Sequence, residues 1–200
     1  MSDYFRQNAV QTTFANSESW VILSSLEQQI KAKIEKIGTP LKDWDINISR
    51  GIITGFNEAF IIDSYTREKL INEDPNSVEI IRPILRGRDI KKYGYDFADT
   101  YVILAYYGSY KILEQNYPAI YKHLLTYEKQ LKNRGQCRYT SSGKLNSNED
   151  FPGQHHWLEL DNNLTLQKLE DFYKQKIMYP NMTKFLPFYL DDKGFTQNDK

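Results

Sequence analysis

The residues best placed to do chemistry are Arg82, Arg86, Arg88, Lys91 and Lys92, within the run Arg82-Pro83-Ile84-Leu85-Arg86-Gly87-Arg88-Asp89-Ile90-Lys91-Lys92-Tyr93. Guanidinium and ammonium groups crowded this closely repel one another unless anions lie among them. A phosphate-bearing polymer is the commonest external source of such anions. Proline and glycine punctuate the run, so the cations sit on a hinge or turn rather than along a helix. The whole chain carries 26 basic and 26 acidic side chains, a formal charge of zero. Residues 82–145 hold twelve bases against five acids, whereas residues 1–81 hold eight against twelve and residues 146–200 six against nine. The middle of the chain therefore carries a local positive field that the total conceals.

Other candidate chemistry is thinner. His123, His155, His156 and the single Cys137 lack the short, regular spacing of a metal site, and no metal site is expected. Cys137 has no base at a recognisable spacing and is expected to be an incidental thiol, with His155 and His156 opening a strand, one side chain inward and one outward. The segment Gly51-Ile52-Ile53-Thr54-Gly55-Phe56-Asn57 lacks the spacing and the Lys-Ser/Thr of a nucleotide-binding loop. Its glycines still permit close backbone approach, with Thr54 and Asn57 offering polar groups; alone it reads equally as a tight turn. Asp89-Ile90-Lys91 and Asp191-Asp192-Lys193 match the end of a metal-dependent nuclease pattern. So short a match arises by chance in a chain this rich in acids and lysines, and no catalytic residue is assigned. The chain has no Asn/Asp-Pro-Pro-Tyr/Phe run and no glycine-rich cofactor loop.

The elements that must position these residues follow from periodicity. Leu23, Leu26, Ile30, Ile34 and Ile37 fall on one face of a leading helix over about residues 17–37, capped by Ser17 or Ser19 and ended by Gly38 and Pro40. So regular a stripe is expected to pack into a core. Trp44, Ile46 and Ile48 alternate as a strand, and further strands are expected near 59–63, 80–81, 101–106, 157–160, 177–179 and 188–190. Residues 66–72 form a short helix ended by Asp74-Pro75. A second helix near 117–134 starts at Pro118 with Asn116 as cap, buries Ile120, Leu124, Tyr127 and Leu131, and ends at Gly135. Lys122, Lys129 and Lys132 lie on its outer face, with Arg134 at its C-terminal end. A loop from 136 to 153 follows. Helices and strands mix without a βαβ rhythm, which predicts an α+β fold with a mixed or antiparallel sheet. Two hundred residues, 40% of them apolar, suit one domain spanning 1–200. One cysteine fits a reducing cytoplasm, and no apolar run is long enough to span a bilayer. Both ends are expected to be cuts from a longer polypeptide, with a strand beginning unpartnered near residues 194–200.

The ordered series Gly51 to Asp63, Arg82 to Tyr93, Tyr117-Pro118-Ala119-Ile120-Tyr121-Lys122-His123-Leu124, Leu131 and Arg134, Trp157-Leu158-Glu159-Leu160 and Lys176-Ile177-Met178-Tyr179-Pro180 resembles the TaqI-like specificity domain of type IIG restriction-modification enzymes and related N6-adenine DNA methyltransferases. The resemblance runs from about residue 20 to 190. It implies a target recognition domain that binds double-stranded DNA beside methyltransferase and nuclease domains of the same parent chain. It further implies that S-adenosylmethionine and Mg²⁺ serve those other domains and that this fragment holds no cofactor. On this resemblance Arg86, Arg88, Lys91 and Lys92 would meet phosphates or guanine edges, Thr54 and Asn57 the backbone or bases, and Lys132 and Arg134 would join the DNA-facing set. The 136–153 loop, with Arg138, Lys144 and Asn146, would read sequence. An internal Arg86–Asp89 ion pair that shapes the turn is an equal alternative for Arg86. The recognition half of a type I specificity subunit and a small stand-alone nuclease are the other readings.

Overall fold

A computed structural model describes residues 22–147, 150–161 and 164–198, together with Asp3 and Ala9. Contacts divide the chain into two units, Met1–Ser49 and Arg50–Lys200.

In the first unit, helix α1 (Ser25–Ile37) is started by a capping box in which Ser24 accepts from the Glu27 amide and the Glu27 carboxylate accepts from Ser24. Gly38 closes it, its amide N–H donating a hydrogen bond to the Ile34 carbonyl. The expected caps Ser17 and Ser19 lie outside the described residues. The expectation of core packing is not met, because Leu26, Ile30, Ile34 and Ile37 are all exposed. The strand expected at 44–48 is absent as well. A 3₁₀ turn over Leu41–Asp43 precedes it, the Trp44 indole donates to the Thr39 carbonyl, and Trp44, Ile46 and Ile48 stay exposed. Alternation alone does not make a strand without a paired edge to complete the ladder.

The second unit runs α2 (Asn57–Phe60), β1 (Ile61–Asp63), α3 (Ser64–Glu73), β2 (Ile81–Leu85), β3 (Ile90–Lys91), β4 (Gly94–Tyr95) and β5 (Thr100–Ile103). It continues through α4 (Tyr110–Asn116), α5 (Pro118–Leu125), α6 (Glu128–Lys132), α7 (Gly135–Arg138), α8 (Leu166–Tyr173), β6 (Lys176–Met178), β7 (Tyr189–Asp191) and β8 (Thr196–Gln197). Four strands form a mixed sheet in the order β1-β5-β2-β8, with β5 antiparallel to both neighbours and β8 parallel to β2. The α+β class and the mixed sheet are as expected. The strand near the C-terminal end does have a partner, since Thr196 and Gln197 pair with Ile84 and Leu85.

Several boundaries move for identifiable reasons. The expected strand at 59–63 begins as a helical turn and becomes extended only at Ile61. Asn116 does not cap the second helix, because it already ends α4, a helix whose polar sequence buries Leu113 alone. Gly135 opens α7 rather than ending its predecessor. Residues 157–160 form a turn rather than a strand. Their carbonyls are drawn inward, those of Trp157 and Glu159 accepting from Arg134, while the Leu160 amide donates to Ala105.

Two cores result. The larger one packs Phe60, Ile84, Ile103, Leu104, Ile120 and Leu131 between the sheet and helices α3 to α6. A smaller one gathers Leu85, Ile90, Met178, Tyr189 and Phe195 beneath the β3–β4 and β6–β7 hairpins. The cationic turn rests on this smaller core. Strand β2 spans both, contributing Ile84 to one and Leu85 to the other.

Candidate nucleic-acid interface

The turn leaving β2 is a 3₁₀ turn over Gly87–Asp89, and its charges are arranged rather than loose. The Asp89 carboxylate accepts from the Arg86 amide (2.9 Å), Arg86 Nε (2.8 Å) and Arg86 Nη2 (3.0 Å). The ion-pair alternative for Arg86 is therefore realised. Asp89 is only 5% exposed; burial disfavours its charge, yet the three hydrogen bonds and the Arg86 and Arg88 charges hold its carboxyl below the ordinary range. One edge of the Arg86 guanidinium, Nη1, takes no part in that pair. Arg88 is exposed beside it.

Arg86, Arg88 and Asn57 line a cleft of about 820 Å³, facing Asn181, Met182 and Thr183 across it. The floor is tight, because a Cβ at Gly87 would lie 3.0 Å from the Pro180 Cβ. The walls come from four separated stretches of chain: α2 with the start of β1, the turn after β2, the loop between β6 and β7, and Asn198 just after β8. A cleft of this volume admits groups of drug or nucleotide size, not the width of a double helix. Glu58, Asn181, Met182, Thr183 and Asn198 were not singled out in the sequence. No local motif marks them, and only the hairpin bounded by Pro180 and Pro187 hinted at a formed loop.

The remaining expected contacts scatter. Lys91 donates to the Arg88 carbonyl (2.8 Å) and lies 3.5 Å from Asp96. Lys92 sits over the Tyr93 ring, Lys132 pairs with Glu128 and reaches over Trp157, and Arg138 covers Tyr139. These four are exposed, as is Lys144, while Asn146 is half-buried with its amide donating to the Pro152 carbonyl. None of them lines the cleft.

Arg134 and Thr54 are corrections. The Arg134 side chain is 4% exposed. It donates to the carbonyls of Leu131, Thr54, Trp157 and Glu159 and pairs with Asp161 at 2.9 Å. Thr54 is buried and its hydroxyl donates to Asn57 Oδ1 at 2.6 Å. Neither group can face DNA. Arg134 braces the fold, and Thr54 orients the Asn57 amide at the cleft wall.

The same node draws in the residues set aside as bland. Cys137 Sγ lies 3.7 Å from His155 Nδ1, and His155 Nε2 lies 3.0 Å from Asp161 Oδ1. His155 is fully buried, as an inward side chain would be, but it lies in a bend and no strand begins at 155 or 156, and Cys137 is not an isolated thiol. Burial works against a charge on His155, but the hydrogen bonds to Asp161 and Cys137 outweigh it and lift the imidazole to about 9. The order thiol, imidazole, carboxylate is that of a nucleophilic triad. Here the carboxylate is held by Arg134 and all three groups are buried, so the chain Cys137–His155–Asp161–Arg134 braces. The three ligand atoms lie within 4.8 Å of one another. The two imidazole nitrogens nonetheless serve different partners, and one ion could not draw on all three groups without breaking a hydrogen bond. Next along the chain, His156 stacks on Tyr110 (centroids 4.4 Å) and is pushed down to about 4 by burial and the Lys132 charge.

The acids of the two nuclease-like patterns are likewise engaged. Asp89 serves Arg86, and Asp191 is buried against Lys176. No helix among the described residues is long and apolar enough to cross a membrane.

The chain matches no protein-family model. It is similar to the Type II methyltransferase M.MjaIV of Methanocaldococcus jannaschii, with 27% identity over 129 residues. That similarity covers 62% of this chain and 42% of the relative, so the chain spans well under half the length of the protein it matches.

Proposed function

We propose that residues 50–200 act as a target recognition module, similar to a TaqI-like specificity domain, which docks double-stranded DNA for a restriction-modification methyltransferase. The observation that carries this is the convergence of Asn57, Arg86 and Arg88 on one cleft. The similarity to a type II methyltransferase supports it. In this reading one strand's sugar-phosphate edge enters the cleft. The free Nη1 edge of Arg86 and the exposed head of Arg88 neutralise phosphate or pair with a guanine edge, and Asn57 offers an amide suited to adenine. Asp89 fixes the angle at which Arg86 is presented, which lowers the entropy lost on binding. Lys91, Lys92, Lys132, Arg138 and Lys144 supply a diffuse attractive field rather than fixed contacts, and the segment from 139 to 153, which follows α7, offers further contacts to sequence.

The methyl transfer itself belongs to other parts of a larger protein. S-adenosylmethionine and Mg²⁺ would be held there, since this chain has neither an Asn/Asp-Pro-Pro-Tyr/Phe run nor a glycine-rich cofactor loop. Fluorescence anisotropy of a labelled mixed-sequence duplex at about 50 and 200 mM salt tests the reading. Binding should weaken steeply with salt, by roughly tenfold or more for a handful of phosphate contacts. Absence of binding at the lower salt would overturn it. The stand-alone nuclease reading gains nothing from the engaged acids of Asp89 and Asp191.

A further inference from the structure

We infer that the loop between β6 and β7 is a wedge that enters an opened base step of duplex DNA, with Phe185 and Met182 presented to the bases. The inference rests on the recognition reading above.

Met182 is 93% exposed, Phe185 75% and Leu186 66%. Three large apolar side chains this bare within five residues are unusual on a chain surface and mark a contact site. The stem beneath them is firm. Lys176, Ile177 and Met178 pair in antiparallel register with Asp191, Leu190 and Tyr189, the Lys176–Asp191 ion pair closes the base, and Met178 and Tyr189 enter the smaller core. The Thr183 hydroxyl bonds the Phe185 backbone and holds the tip in a turn. A rigid stem with an apolar tip is the build of an intercalating element, which loses little order on insertion.

Charge decides the occupant. Met182 and Thr183 form one wall of the cleft whose other wall carries Arg86 and Arg88, and Lys184 stands at the tip between Thr183 and Phe185, its ammonium over the Phe185 ring. A protein-docking patch is depleted in lysine at its centre. Aromatic and thioether groups interleaved with lysine, threonine and asparagine suit bases flanked by phosphates. With one strand's backbone held against Arg86 and Arg88, the opposite wall meets the base stack.

The test uses the full chain and two labelled duplexes of roughly two helical turns, one intact and one with a central abasic site beside 2-aminopurine. An abasic site removes the unstacking cost in advance. The wild-type chain should bind the abasic duplex about tenfold more tightly and raise 2-aminopurine fluorescence. Phe185→Ala should abolish that preference while changing affinity for the intact duplex by about twofold at most, and Phe185→Trp should keep the preference. Equal affinity of the wild type for both duplexes overturns the wedge while leaving DNA recognition standing. So does an equal loss on both duplexes in Phe185→Ala. Failure to bind either duplex at low salt strikes the recognition reading itself. A wild-type chain that self-associates in sedimentation, and that Phe185→Ala returns to monomer, assigns the loop to a protein contact and overturns the wedge.

Discussion

Replacing Arg134 by methionine should be the most damaging single substitution in the second unit. The change removes five hydrogen-bond partnerships, to four carbonyls and to Asp161. It leaves Asp161, itself 7% exposed, as a buried carboxylate whose remaining partner is His155. Removing one member of a buried pair costs roughly 3–5 kcal/mol, and the carbonyls of Thr54, Trp157 and Glu159 lose their charged donor as well. Apolar contact of the methionine stem recovers part of this, so a net loss of about 4 kcal/mol is expected, a large share of an ordinary domain's stability. At this chain length that corresponds to a fall in Tm of roughly 8–16 °C. Urea unfolding followed by circular dichroism gives the free energy directly. Arg134→Lys keeps the charge but not the fork, and should lose about half as much. Arg134→Met combined with Asp161→Asn should be less destabilised than the sum of the two single changes, because the orphaned charge is gone. A loss under about 1 kcal/mol for Arg134→Met, the range of an exposed pair, would refute the bracing role.

His155, raised to about 9, contributes stability that is complete below its unfolded value of 6.5 and is lost as pH rises towards 9. His156, lowered to about 4, contributes stability complete above 6.5 and lost as pH falls towards 4. The two histidine contributions therefore meet near pH 6.5; His155→Gln should flatten the alkaline limb of a stability profile and His156→Gln the acid limb. Arg88→Ala should weaken duplex binding and reduce the salt slope by about one unit with unfolding unchanged, whereas Arg86→Ala should also lower stability by roughly 2 kcal/mol by stranding Asp89; paired measurements of binding and urea midpoint separate the two. A Cβ on Gly153 would strike the backbone of Gln136 and Cys137, so Gly153→Ala should cost about 2 kcal/mol and raise proteolysis within 136–153. Gly55 has φ +68° and its Cβ would meet the Asp161 carboxylate, so Gly55→Ala should lower the urea midpoint and, with Asp161→Asn, prove non-additive.

Segments whose burial was local were legible in sequence. The period of Ile120, Leu124 and Leu131 reported a face that is indeed buried, and Gly87 marked the cationic turn, although Pro83, read as the start of that turn, lies within β2. The failures share one cause, a partner distant in sequence. Arg134 looked like a helix-end cation because nothing nearby reveals that Thr54, Trp157 and Asp161 will enclose it. Trp157 to Leu160 looked like a strand because three of its four residues are apolar, yet the Trp157 and Glu159 carbonyls are claimed by that same guanidinium. The stripe of α1 is as regular as a core face, but periodicity specifies a face and not what meets it. At the cleft, Arg86 and Arg88 were visible as charge. Asn181, Met182 and Asn198 became neighbours only through hairpin and sheet closure.

The parallel pairing of β8 with β2 bears on how the molecule assembles. The Thr196 hydroxyl bonds the Pro83 carbonyl across a separation of 113 residues. Local helices can form in microseconds, but so long a loop must close before this contact contributes anything. The base of the cationic turn should therefore be among the last parts to set during refolding. Until it sets, the outer edge of β2 stands open to intermolecular strand exchange, and crowded refolding should favour aggregates seeded there.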